Sequence, residues 1–125
     1  MRLSEKQLNK ILGIEPESKY KNKKAVVDGI EFDSRKEANY YAELKLLQKV
    51  GEIEKIELQP EFELLPRFRK NGKTYRPIKY IADFKVTYTD GRVEIVDVKG
   101  HKTEVFRLKE KLFEYQYSDL NLKIV

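Results

Sequence analysis

A chain of 125 residues has room for one domain with a proper core, and its 11% aromatic content with frequent Val, Ile and Leu excludes a disordered chain despite 38% charged residues. The absence of cysteine and the single histidine, His101, exclude disulfide scaffolds, thiolate-ligated zinc, iron–sulfur clusters, thiol nucleophiles and multi-histidine metal sites. A formal net charge of +5 inclines the protein mildly toward polyanionic partners. No apolar run approaches the roughly 18 residues of a membrane span, and the first residues lack a signal-peptide core, so the expectation is a cytoplasmic protein with no membrane contact.

In chain order, Ser4 to Leu12 reads as a short helix, with Ser4 and Gln7 in capping-box spacing and Leu8, Ile11 and Leu12 as its stripe. Residues 15–24 follow as a polar arm, in which Lys19, Lys21, Lys23 and Lys24 form a basic cluster. The expected division is therefore an N-terminal helix and arm over 1–18 and a main domain over 19–125. Asp28-Gly29 between apolar residues predicts a tight hairpin within 25–32. A helix should run from Ser34 to about Val50, carrying Ala38, Tyr41, Leu44 and Leu47 at helical spacing and stopped by Gly51.

Residues 53–65 alternate charge and apolarity, as a half-buried strand does, with a break at Pro60. The stretch 64–82 contains no acid. It holds Arg67, Arg69, Lys70, Lys73, Arg76 and Lys79 among Phe68, Tyr75 and Tyr80, with a type I′ turn signal at Asn71-Gly72. A two-residue loop there sets Lys70 against Lys73 and Arg67 against Arg76. Facing like charges are unfavourable, which points to an anionic partner. The plain alternative is a solubilising sheet edge.

Residues 80–88 and 92–99 read as two strands around Asp90-Gly91. A helix capped by Thr103 runs to about Tyr117, with Val105, Phe106, Leu112 and Phe113 on one side, and a short strand ends the chain. The fold class is α/β or α+β, a mixed sheet flanked by helices.

Register decides what the two strands can do. A three-residue loop, Thr89-Asp90-Gly91, with Gly91 left-handed, sets Asp83 opposite Asp97 and leaves Ala82, Phe84, Val86, Val96 and Val98 on an apolar face. A two-residue loop would put the acids on opposite faces, and burial favours the first arrangement. Asp97 and Lys99 share a face by strand alternation. Two carboxylates about 5 Å apart repel, so one must hold its proton or both must share a cation. An all-oxygen ligand set favours Mg²⁺ or Mn²⁺, and a lysine beside that ion suits phosphodiester hydrolysis. A simple surface ion pair of Asp97 with Lys99 is the rival reading.

Asp83 followed by Asp97-Val98-Lys99 resembles the PD-(D/E)XK signature of restriction-endonuclease-like nucleases. The landmarks FDSRKEANYYAEL, LQPEFEL, YIADF and VDVKGHKT resemble small phage and prophage endonucleases within that superfamily, themselves similar to Holliday-junction resolvases. Ala82 stands where proline is usual, and Asp97 where glutamate is commoner. The resemblance implies an αβββαβ core. It implies a metal-dependent DNA endonuclease with Glu37, Asp83 and Asp97 as metal ligands and Lys99 serving the attacking water. It further implies branched or junction DNA as substrate and a homodimer as the cutting unit. In-line attack by water is expected, since no covalent nucleophile is evident.

Glu37 has a second reading, as the third residue after the Ser34 cap. Expected DNA contacts are Lys23, Lys24, Arg67, Arg69, Lys70, Lys73, Arg76 and Lys102. Lys109 and Lys111 cannot share a helix face, so the last helix offers only part of its charge. His101 is expected in an exposed loop, and Gln59 carries no assigned role. The rival functions are a non-catalytic nucleic-acid-binding module and an interaction subunit of a phage replication or recombination assembly.

Overall fold

The computed structural model describes residues 24–125, so the expected helix over 4–12 and the arm with Lys23 lie outside the described residues. The chain divides into two compact units, Met1–Lys55 and Ile56–Val125. Among the described residues it is a mixed α+β protein of two helices and ten strands. No helix among them is long and apolar enough to cross a membrane.

In the first unit, Asp28 and Gly29 both take positive φ, 53° and 76°. This type I′ turn joins β1 (Ala25–Val27) to β2 (Ile30–Phe32) in the expected hairpin, with Val27 opposite Ile30. Helix α1 (Arg35–Lys49) starts at Ser34, whose hydroxyl accepts from the Glu37 N–H at 3.0 Å. It buries Ala38, Tyr41, Ala42 and Leu44, and Phe32 of the hairpin packs on Tyr41 with ring centroids 5.0 Å apart. Gly51, at φ 88°, ends the helix as its position predicted.

Strand β3 (Ile53–Leu58) carries the chain from the first unit into the second. The predicted break at Pro60 is present and has a specific form. Gln59 is left-handed at φ 49°, and the chain turns there into β4 (Glu61–Leu65). Next come β5 (Phe68–Lys70) and β6 (Lys73–Tyr75), paired with Lys70 opposite Lys73 and Phe68 opposite Tyr75. Asn71 and Gly72, at φ 51° and 75°, make the two-residue loop.

Strand β7 (Ile78–Ile81) pairs antiparallel with β4. Strand β8 (Phe84–Tyr88) pairs antiparallel with β9 (Val93–Asp97), from Phe84 opposite Val96 to Thr87 opposite Val93. The Tyr88 N–H donates to the Arg92 carbonyl at 2.8 Å, the Gly91 N–H to the Tyr88 carbonyl at 3.0 Å, and Gly91 sits at φ 94°. This is the expected three-residue loop with a left-handed glycine, and the pairing it sets runs as far as Phe84 opposite Val96.

Helix α2 (Glu104–Gln116), capped by Thr103, returns the chain so that β10 (Asn121–Ile124) lies parallel to β9. The resulting sheet has the order β10-β9-β8-β3. In chain order its strands and the helices read α1, β3, β8, β9, α2, β10, the expected αβββαβ succession, with β4 to β7 inserted between the first two strands.

The second unit's core joins Leu64, Tyr80, Ala82 and Ile95 to Phe106 and Phe113 of α2. Phe62 meets Phe113 edge-on at 5.0 Å. Phe113 is fully buried, and its truncation to Ala should cost about 3–5 kcal/mol.

Two sequence expectations need correction. Residues 80–88 do not form one strand, because the backbone changes partner between neighbours: the Ala82 N–H donates to the Pro60 carbonyl at 3.1 Å and the Asp83 N–H to the Val96 carbonyl at 3.0 Å. Val105, expected on the buried side of the last helix, is 65% exposed, because Phe106 and Phe113 already fill the contact with the sheet.

Candidate carboxylate site

Asp83 immediately precedes the Phe84–Val96 pair; its N–H donates to the Val96 carbonyl at 3.0 Å, and its carboxyl interacts with that of Asp97 at the end of β9. The Val98 N–H donates to the Asp83 carboxylate at 2.7 Å and aims it across the ladder. Asp97 is 3% exposed. One of its oxygens accepts a short hydrogen bond from the Tyr80 hydroxyl. The other, Oδ1, lies 3.7 Å from the Lys99 Nζ. Lys99 follows the end of β9 but stays extended, because its N–H donates to the Val125 carbonyl at 2.9 Å and the Val125 N–H donates to the Asp97 carbonyl at 3.0 Å. The parallel strand β10 thus carries the alternation past Asp97 and keeps Lys99 on the same face.

The electrostatics follow from burial. Desolvation raises Asp83, the Asp97 carboxyl raises it further as a neighbouring charge and hydrogen-bond partner, and the Val98 N–H and Lys99 oppose both. The net result is a carboxyl pushed up to about 6. Tyr80, buried and bonded to Asp97, has its phenol raised far above its ordinary value and remains a hydrogen-bond donor.

Three of the four expected catalytic residues, Asp83, Asp97 and Lys99, are therefore brought together in the second unit. Glu37 belongs to the first unit, half-buried in the opening turn of α1. Among the described residues no group of three or more His, Cys, Asp or Glu side chains is gathered to hold a metal ion. The Asp83–Asp97 pair nonetheless fits a hard divalent ion in donor type, since both are carboxylates.

Tyr80 is the participant that sequence reasoning missed. In one continuous strand Tyr80 and Asp83 would point to opposite faces. The change of partner at Ala82 removes that alternation and lets both reach Asp97. Gln59 also acquires a part: its N–H donates to the Asp83 carbonyl at 2.9 Å and pins the backbone at this change.

The basic hairpin β5–β6 is exposed along both strands. Phe68 and Tyr75 stack at 4.6 Å and 7°, and the Lys73 Nζ sits 4.9 Å from the Tyr75 ring centroid. Arg67, Arg69, Lys70, Lys73 and Arg76 are all exposed. Lys24 is also exposed and lies 3.7 Å from Glu31. Lys102 is paired with Glu110 at 3.3 Å, so its charge is matched within its own helix region. His101 is exposed, as its loop position predicted.

Residues 17–125 match the family described as Protein of unknown function (DUF1064), and the chain belongs to that family. No curated protein and no solved structure matches the chain.

Proposed function

We propose that the protein is a divalent-metal-dependent endonuclease acting on DNA. The observation that carries this reading is the interacting carboxyl pair Asp83 and Asp97, with Asp83 held by the Val98 N–H at 2.7 Å and the Lys99 amine 3.7 Å from Asp97. Opposed carboxyls are unfavourable without a cation, and one of them is already driven toward its protonated form. Asp83 and Asp97 would hold Mg²⁺ or Mn²⁺, with Glu37 added by resemblance to the nuclease signature. Such an ion, when bound, polarises a phosphoryl oxygen and activates water.

The chain's own residues have separable tasks. Lys99 meets the negative charge on the phosphoryl oxygens and orients a water by donating to it. Tyr80 holds the Asp97 carboxylate in one rotamer from within the core. The exposed β5–β6 hairpin supplies phosphate contacts, and its aromatic pair supplies a stacking surface. The resemblance adds branched DNA as substrate and a homodimer that makes two cuts.

A second reading is a nucleic-acid-binding module without catalysis. It is favoured by the engagement of both Asp97 oxygens with Tyr80 and Lys99 inside the protein. Plasmid, flap and four-way-junction DNA incubated with Mg²⁺ or Mn²⁺ separate the two. The endonuclease reading expects cleavage that stops with chelator and in Asp83→Ala, Asp97→Ala and Lys99→Ala. Cleavage that survives chelator, or survives both Asp83→Ala and Lys99→Ala, would overturn it. Binding without cutting under any divalent ion would establish the module.

A further inference from the structure

Tyr80 and Lys99, which both touch Asp97, also form one wall of a cleft of about 290 Å³ in the second unit. Three amines line it from three separate elements: Lys79 from β7, Lys99 from the segment after β9, and Lys109 from α2. No carboxylate lines it. Lys79 is partly matched from outside by Glu61 at 2.8 Å, while Lys109 has no ion-pair partner among the described residues. Thr103 and Tyr80 also line it, and the rest of the lining, Ile81, Val105 and Phe106, is apolar. Ile81 and Val105 are 56% and 65% exposed there, and Phe106 lies 4.4 Å beneath the Lys99 Nζ.

Ammonium groups gathered in a small concave space repel one another until an anion joins them. Lysine suits phosphate, as a point charge with three donors. Exposed Ile and Val at the rim offer contact to a sugar or base, which a free inorganic anion would not use. We infer that this cleft is a nucleotide subsite beside the carboxylate pair, in which Lys109 and Lys79 hold a phosphate group and Ile81 and Val105 receive the attached sugar or base. The inference deepens the nucleic-acid reading and rests on it for the choice of phosphate. It adds that one nucleotide of the strand leaves the general electrostatic surface and enters a shaped pocket.

The test is fluorescence anisotropy of short single-stranded DNA in EDTA, where no hydrolysis occurs, with Lys109→Ala compared against Lys111→Ala. Lys111 is exposed on the same helix and does not line the cleft. The subsite expects Lys109→Ala to weaken binding about tenfold, Lys109→Arg to retain most of it, and Lys111→Ala to change it less than about twofold. Val105→Glu places a carboxylate at the rim of an already exposed position and should weaken binding at least as much as Lys109→Ala.

Equal losses in Lys109→Ala and Lys111→Ala, or wild-type affinity in Val105→Glu, would overturn the subsite. A preference for 5′-phosphorylated over 5′-hydroxyl strands that disappears in Lys109→Ala identifies a terminal phosphate. Equal affinity for both strands, still lost in Lys109→Ala, identifies an internal one. Cleavage with Mg²⁺ is scored separately. A wild type that cuts nothing yet shows the Lys109 effect sinks the nuclease reading and keeps the subsite. A wild type that cuts while Lys109→Ala binds normally does the reverse.

Discussion

The Asp83 carboxylate accepts from the Val98 N–H at 2.7 Å and interacts with the Asp97 carboxyl, so the backbone just past β9 holds the acid that precedes β8 against its like-charged partner. That N–H favours the ionised form of Asp83, whereas burial and Asp97 oppose it more strongly. The site therefore carries unfavourable charge into the folded state.

Asp83 ionises near 3.8 in the unfolded chain and near 6 in the fold. Between those values the folded state keeps a proton that the unfolded state has released, so this group's contribution to stability falls as pH rises from about 4 to about 6 and stays lost above that. Asp83→Asn removes the titration. In EDTA it should be more stable than wild type at pH 8 by about 1 kcal/mol, after discounting for partial exposure, or roughly 4 °C in Tm. The gain should vanish below about pH 4. Thermal melts at the two pH values check this, and a difference independent of pH would contradict the raised pKa.

Tyr80→Phe deletes the donor to a carboxylate that is 3% exposed. A buried charged acceptor deprived of a donor should cost about 1–3 kcal/mol. The urea midpoint should fall accordingly. A midpoint equal to wild type would show that the phenol does not hold Asp97.

Glu37→Gln separates capping from chemistry. The Ser34 hydroxyl accepts from the Glu37 N–H, a bond that does not use the side chain, and Gln serves the third position of a capping box as Glu does. The melting temperature should stay within about 1 °C of wild type. Cleavage should fall about 100-fold or more if the carboxylate ligates metal as the nuclease resemblance implies. Full cleavage in Glu37→Gln would leave only the cap.

Arg69→Ala combined with Lys73→Ala removes two exposed charges from the hairpin. If both contact phosphates, the slope of log affinity against log salt should decrease in magnitude by about 1.4–1.8. Affinity should fall similarly across sequences, because these contacts carry no base information. Titrations at several salt concentrations measure the slope, and an unaltered slope would remove the hairpin from the nucleic-acid surface.

What the sequence determined by itself was local in origin. Asp28-Gly29 and Asn71-Gly72 specify their turns through backbone conformations that few residues accept, and Ser34 and Thr103 specify helix starts through single hydrogen bonds. Even the β8–β9 register was legible, because Gly91 permits the three-residue loop and a one-residue slip would have exposed Phe84, Val86 and Val96. Tertiary structure alone decided that Tyr80 reaches Asp97, that Val105 faces outward and that three lysines surround a cleft. The first depends on the carbonyls of Pro60 and Val96, which lie far apart in the chain and take neighbouring N–H groups at Ala82 and Asp83. Periodicity within one strand cannot encode such a change of partner, because it arises from where two other strands come to rest.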